Sequence, residues 1–569
     1  MKITLFSGIV CGLALGASAE SSVLHESRID FAKPTMRWLW GGFGFHNSEA
    51  TMTPLMSDEF RDQRVLKTFR EISPTYARVF AGYWDWTREA MDRFADWYDA
   101  TFRAAGTTLY LVPGRMPVIT EDFDATNYCE AVATRLEYLV KERKCTKIRY
   151  YCLSNELSVG PTYAWFGTHL DLYAELNREM HRAFMRHGLD IGLQTPDSSG
   201  YSRMSDIDWA ITNINEQTDT YCWHCYVGNL QPGDPALWAN LSTALTNLVS
   251  KALRKEKRLS LGEFGFTGKP YGMRRMRDDG HAAFRHPGSE FSRRAAISRA
   301  EMGLAALNAG AVSAVSWTMV DYPDPFLRED GDSSEEKTRY DVARFSGFGL
   351  DVRYNKWGTF RWCDEERDYS SYPDLYTMGY LVKLFRKGAR VLPYTTDDDT
   401  LRAGGVTNPD GSASFALINW GEAKKVTLSI PHPLAKPLRV YEYDSEHPPL
   451  SPFNDLQPAK GTVAAKDGVV TLSVPAKSMT FLTTDYVDRQ PSAITKIGIV
   501  NGRLCWAPCE DPEHVYYRVY KDGKQIASTV ATSLDLGGSQ LAATASDAIN
   551  CVPPVFEVKS VDKWGNVKH

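Results

Sequence analysis

Beyond its N-terminus this 569-residue chain has no apolar run approaching the roughly 18 residues that a membrane-spanning helix requires, so no span is expected in the mature chain. It also lacks a strong charge of either sign. A net charge of −5 with 24% charged residues gives no global reason to expect nucleic-acid binding or disorder. No low-complexity tract and no short-period repeat is present, which excludes solenoid and linker-type chains. Cysteine is scarce. Of ten, Cys11 lies in a leader-like stretch, and the remaining odd number forbids complete intramolecular pairing. Cys505, Cys509 and Cys551 could supply one disulfide in an oxidising compartment, with the pair left open. Cys222-Trp-His-Cys225 does not read as a zinc motif, because strand alternation sends Cys222 and His224 to one face and Cys225 to the other. No second ligand pair follows at zinc-like spacing, and neither metal nor cofactor is expected.

Met1-Lys2, the apolar stretch Ile3 to Gly16 and Ala17-Ser-Ala19 have the order of a secretory signal over residues 1–19, with cleavage expected after Ala19. The expectation is a secreted protein, extracellular or periplasmic. A lipoprotein reading through Cys11 is disfavoured by the bulky Val10 before it. Aromatic residues are abundant, with 15 Trp and 28 Tyr, and sugar rings present apolar C–H faces that stack on such side chains.

From Met36 to Tyr322 short apolar runs alternate with amphipathic stretches of helical length, the pattern of repeated βα units. Eight strands are predicted at Met36–Phe45, Thr75–Ala81, Thr108–Pro113, Lys147–Ser154, Asp190–Gln194, Thr220–Tyr226, Arg258–Gly262 and Ala311–Trp317. Eight such units close a (β/α)8 TIM barrel, an α/β fold, over 20–395. Asp374–Arg390 reads as a final helix. Alternating strands follow over 396–487, an all-β sandwich, and a polar break at Asp488-Arg-Gln-Pro-Ser492 opens a last all-β segment over 488–569. Trp506, Tyr517 and Val561-Asp-Lys-Trp-Gly-Asn566 make that segment resemble a fibronectin type III module.

Two glutamates end strand-like runs: Glu156 in Tyr150-Tyr-Cys-Leu-Ser-Asn-Glu156 and Glu263 in Leu259-Ser-Leu-Gly-Glu263. Each stands where a parallel barrel opens into loops, so the pair is a candidate acid and nucleophile. A second Asn-Glu, Asn215-Glu216, precedes a strand and lies at the wrong end of the barrel. Arg78 on strand two, His224 and Tyr226 on strand six, and Trp317 closing strand eight complete a constellation that resembles glycoside hydrolase clan A. Gly347-Phe-Gly-Leu350, Tyr376, Leu381, Ser316-Trp-Thr318 and Asp321 look closest to families 39, 5 and 30. The resemblance covers roughly residues 36 to 485.

It implies a secreted, retaining β-glycosidase that cleaves O-glycosidic bonds of a poly- or oligosaccharide by a two-glutamate double displacement. Glu156 would be the acid/base, with its pKa raised, and Glu263 the nucleophile, kept ionised by Arg78 and Tyr226. Asn155 suits a donor to the sugar's 2-hydroxyl, and Trp317 a floor for the ring. The alternatives are strand-end carboxylates paired with arginines, a half-buried His224 and Tyr226 without a role, and a non-catalytic carbohydrate-binding or adhesive protein on a barrel scaffold. Trp84, Trp86 and Trp165 either stack distal sugars or pack. The segment from Lys269 through Arg274, Arg275 and Arg285 to Arg293-Arg294 is basic in a negative chain, which suggests an anionic glycan, sulfated or uronic, against the bland reading of a solvated loop. No nucleic-acid partner is expected.

Overall fold

The computed structural model describes residues 25–47, 50, 56–113, 123–157, 166, 169–266, 289–320, 322–323, 354–355, 358–362, 369–536 and 554–568. The leader, Cys11, Trp165, the basic segment 269–286, Asp321, Gly347–Leu350 and Cys551 lie outside the described residues.

β1 (His25–Phe31) precedes a closed barrel of eight parallel strands, β2 (Phe43–His46), β3 (Tyr76–Phe80), β4 (Thr108–Val112), β5 (Ile148–Tyr151), β6 (Gly192–Ser199), β7 (Thr218–Val227), β8 (Arg258–Phe266) and β9 (Ser313–Ser316). Number and order match the eight predicted strands. Their near-continuous apolar runs follow from burial on both faces: Thr-Leu-Tyr-Leu-Val of β4 is buried throughout. The surrounding helices start where the sequence supplies a cap. Thr87, Asp124, Asp234 and Ser289 each accept a backbone N–H of the first turn, and Pro235 opens its helix without an N–H to lose. Helix Glu290–Ala309 ends at Gly310, whose φ of 88° is the left-handed stop.

The final helix expected over Asp374–Arg390 is shorter. A 3-10 turn, Pro373–Tyr376, leads into helix Met378–Leu384, which stops before the left-handed Gly388, and Arg390 already opens a strand. After a short pairing of β10 (Tyr322–Pro323) with β11 (Tyr354–Asn355), the sandwich begins with β12 (Arg390–Leu392) and β13 (Tyr394–Thr396). It continues through β14 (Leu401–Thr407), β15 (Ala413–Asn419), β16 (Lys424–Ser429), β17 (Leu438–Asp444), β18 (Gly461–Val463), β19 (Val469–Val474) and β20 (Ser478–Thr483). One sheet has the order β12-β14-β15-β20-β17-β18, the other β13-β1-β16-β19.

The N-terminal strand β1 therefore belongs to the sandwich, pairing parallel with β16 from His25 opposite Lys424 to Asp30 opposite Ser429, and position 395 falls inside β13, which pairs with β1, while β12 before it pairs with β14 of the other sheet. In β14 Gly404 and Gly405 dilute the alternating strand pattern. Both are needed for close approach: a Cβ would stand 2.7 Å from Leu304 at the first and 2.7 Å from Phe31 at the second.

The last segment forms two three-stranded antiparallel sheets. They are β21 (Gly498–Val500), β22 (Arg503–Cys505) and β25 (Ser533–Asp535), and β24 (Lys524–Thr529), β23 (His514–Lys521) and β26 (Phe556–Asp562), packed around Trp506, Tyr517 and Val519. This unit is docked rather than tethered: Tyr516 donates to Glu71 of the barrel at 3.2 Å, and Ser528 to Asp455 of the sandwich region at 3.0 Å. Cys505 and Cys509 are both thiols, so that pairing does not form. No helix among the described residues is long and apolar enough to cross a membrane.

Candidate active site

Two irregularities in the barrel build the site. Opposite β7, strand β8 carries one extra residue, so that Trp223 faces Leu261 and His224 faces Glu263. The residue skipped is Gly262, where a Cβ would lie 2.2 Å from the Cys222 sulfur, so only glycine lets the two strands close there. The bulge turns Glu263 into the barrel mouth. Strand β6 carries its own extra residue between Thr195 and Ser198, and Asp197, at φ 58°, points its carboxylate into the same space. Glu156 follows β5, also left-handed at φ 55°. Non-glycine residues in that region cost about 1–3 kcal/mol, and such strain gathers at functional sites.

The seven residues expected at the site converge. One oxygen of Glu156, one of Glu263 and a ring nitrogen of His224 all lie within 4.8 Å of one another. Glu263 is held at both oxygens, Oε1 by the Arg78 guanidinium and Oε2 by the Tyr226 hydroxyl at 2.6 Å. Among the described residues Glu156 is held at Oε1 alone, by Ser199 at 2.8 Å and His224 Nδ1 at 3.1 Å. Asn155 accepts from Arg78 through its carbonyl oxygen. Trp317 lies against the His46 ring at 4.3 Å and the Phe80 ring at 5.6 Å. Trp86 packs on Phe94 and Tyr83.

Sequence reasoning missed four members. His46 lies one residue past the predicted end of the first barrel strand, and its Nδ1 faces Arg78 at 3.1 Å. Asp197 lies beyond the predicted end of the fifth, where Pro196 interrupts the pattern. Ser199 follows it, and Tyr110 reaches Asp197 from β4 at 2.8 Å. The polar run Asp197-Ser-Ser-Gly200, following a strand on the loop side of the barrel, was the available signal.

The electrostatics are tightly coupled. Burial alone would lower the His224 pKa, but Asp197 and Glu263 hold it well above the usual imidazole range. Burial would raise Asp197, yet His224 and Arg78 keep it far below the ordinary carboxylate range. Burial also works to raise Glu156; the hydrogen bond and charge of His224 outweigh it, and its pKa is lowered. Glu263 is raised by burial, offset only in part by Arg78 and His224. These directions run opposite to the expectation of a raised Glu156, and the cause is the imidazolium beside it. Two carboxylates this close share their protons as a pair, so the oxygen left open by the hydrogen bonds separates them better than their resting shifts.

Asp197, Cys222 and His224 also bring three donor-type atoms within 4.8 Å. Arg78 donates to the same Asp197 carboxylate at 2.9 Å, which puts a fixed positive charge beside any cation there. The contacts within this cluster are hydrogen bonds, with Arg78, Tyr110, Cys222 and His224 all turned to the Asp197 carboxylate.

No protein-family model matches the chain, and no curated protein matches it. Among solved structures it is similar to the catalytic domain of the family 30 xylanase C from Talaromyces cellulolyticus, at 15% identity and a TM-score of 0.53 over 80% of this chain and 99% of that one. A family 30 subfamily 8 xylanase from Clostridium acetobutylicum gives 14% and 0.51 over 80% and 99%. The bacterial orthologue of human α-L-iduronidase gives 14% and 0.55 over 96% and 98%. At these identities the likeness shows the fold, a barrel with attached β domains.

Proposed function

We propose that this chain is a retaining glycoside hydrolase of the clan A type, cleaving O-glycosidic bonds of a poly- or oligosaccharide with Glu263 as nucleophile and Glu156 as acid/base. The observation that carries this reading is the unequal bracing of two adjacent carboxylates. Retention needs carboxyls about 5–5.5 Å apart, too close for an intervening water, and nearest oxygens within 4.8 Å of each other support that spacing. Arg78 and Tyr226 fix both oxygens of Glu263, as a group that must attack the anomeric carbon along one line requires. Among the described residues only Oε1 of Glu156 has hydrogen-bond partners, which leaves Oε2 to carry a proton towards a leaving oxygen. Asn155 would donate to the 2-hydroxyl, and Trp317 would floor the ring.

The same reading makes the protein secreted, with its last unit of fibronectin type III type. An anionic substrate, uronic or sulfated, is part of the proposal. It rests on the basic segment 269–286, with an α-L-iduronidase as a structural neighbour along most of the chain making uronides the first to try. Arg293 and Arg294 drop out of it. Arg293 donates to Ser445 O at 2.6 Å and Arg294 pairs with Glu446 at 3.3 Å, so both bind the sandwich.

Incubation with fluorinated glycosyl fluorides, followed by peptide mass mapping, tests the reaction. A covalent sugar on Glu263 is expected, with proton NMR of turnover showing the retained anomer first. Initial release of the inverted anomer would refute it, and binding without turnover or adduct would favour the non-catalytic carbohydrate-binding alternative. On anionic substrates, kcat/KM should fall steeply with salt and with Arg274→Ala and Arg275→Ala; salt-independent preference for a neutral glycan would remove that part alone.

A further inference from the structure

Beneath the two glutamates lies a third carboxylate that touches neither of their carboxyl groups and is fully buried. Asp197 Oδ2 receives Arg78 at 2.9 Å and the backbone N–H of Glu156 at 3.4 Å. Its Oδ1 receives Tyr110 at 2.8 Å, Cys222 at 2.9 Å and His224 Nε2 at 2.9 Å. His224, also fully buried, has its other nitrogen 3.1 Å from Glu156 Oε1 and 3.6 Å from Glu263 Oε2. Each ring nitrogen therefore faces a carboxylate oxygen. A neutral imidazole would present a lone pair to one of them, whereas an imidazolium donates to both.

We propose that Asp197 is a positioning residue of this centre, holding His224 as a doubly protonated imidazolium whose Nδ1–H occupies Glu156 Oε1, so that the acid's own proton must sit on Oε2. The inference rests on the glycosidase reading for its consequence and on geometry for its content. Oε1 already accepts from Ser199, and a second donor there leaves no place for a proton. Asp197 also sets the angle of the Arg78 fork, since one guanidinium nitrogen binds Asp197 while the other binds Glu263.

The groups that bear on the His224 charge come from every neighbouring strand: His46 from β2, Arg78 from β3, Tyr110 from β4, Glu156 after β5, Asp197 from β6, Cys222 and Tyr226 from β7 itself, and Glu263 from β8. Arg78 opposes a proton on the ring. Three carboxylates favour it, and Asp197 is the nearest of them.

The wild-type protein, labelled with 15N at histidine, provides a test independent of turnover, with a His224→Gln sample identifying the signal. Both His224 nitrogens should show the protonated shift and proton couplings through neutral pH. Asp197→Asn, which keeps the shape and removes the charge, should move that titration down by roughly one pH unit or more. In the same variant kcat/KM for a poor leaving group should fall at least about tenfold further than for an activated aryl glycoside. A neutral His224 in the wild-type protein at pH 7 would overturn the proposal even if Asp197→Asn fails to fold, as would an unmoved titration or equal losses on both substrates. A protonated His224 in a protein that turns over no glycoside would instead count against the glycosidase reading.

Discussion

The barrel mouth and the junction of the three units each bury a cluster of charges, and the two are built to opposite ends. At the junction Lys67, fully buried, pairs with Glu71 and with Asp455, both at 2.7 Å, and Arg518 meets Asp455 at 3.1 Å. Lys383 also donates to Glu71 O at 2.9 Å, so cations at least match the two anions, and Asn454 O, Leu456 N and Tyr516 take up further capacity. At the mouth Arg78 and an imidazolium face three carboxylates, an imbalance that leaves a proton to be placed, and Glu156 Oε2 has no hydrogen-bond partner among the described residues. Opposite charges matched across a seam fix how domains sit; a surplus of carboxylates at a barrel mouth is what chemistry can use. A buried ion pair alone therefore says little about function.

Glu263→Gln should break that contrast most strongly. Turnover should fall by roughly four orders of magnitude or more while the thermal midpoint moves little, because Arg78 keeps Asp197. A large drop in midpoint with residual activity above one percent would make Glu263 structural. Glu156→Ala should come next, lowering kcat about 10²–10⁴-fold on substrates with poor leaving groups and far less on activated aryl glycosides, which need little protonation. Equal losses would argue against the division of roles. Lys67→Met removes the cation shared by Glu71 and Asp455 and should destabilise the fold by about 3–5 kcal/mol, since it strands buried charge. Its activity per folded molecule should stay at the wild-type level, measured below the shifted transition; a selective loss of kcat would erase the distinction between the two clusters.

What the sequence disclosed follows from how local each signal is. Glu156 and Glu263 stand at the ends of strands whose apolar runs announce them, and all eight barrel strands were legible for that reason. Asp197 was not, because Pro196 ends the period-two pattern while a bulge carries the strand on to Ser199. His46 fell one residue outside its predicted strand. The N-terminal strand β1 alternates well enough to be read, but its partner β16 is some 400 residues away in the chain, and pairing across such a separation leaves no local trace. The pKa directions were illegible for the same reason, since the imidazolium that lowers Glu156 depends on a carboxylate from another strand.

The seam between barrel and sandwich sharpens the comparison from the other side, with the smallest expected effect. Glu301, buried on helix Glu290–Ala309, takes the Trp420 indole N–H at 3.1 Å and meets Arg402 at 3.2 Å. Burial, only partly offset by Arg402, raises its pKa to about 7. That value would mark a general acid if it lay in the mouth; here it is a property of packing. The folded state binds a proton that the unfolded chain, with an ordinary value near 4.5, has released between pH 4.5 and 7. Glu301 therefore contributes stability that is complete below about pH 4.5 and is lost as pH rises through 7, by at most about 3 kcal/mol. Glu301→Gln should remove this dependence, so the midpoint of wild type minus variant should decline from pH 5 to pH 8, while the pH profile of kcat stays unchanged. A constant difference in midpoint would mean that Glu301 stays ionised against Arg402, and a shifted kcat profile would tie the seam to the chemistry at the mouth.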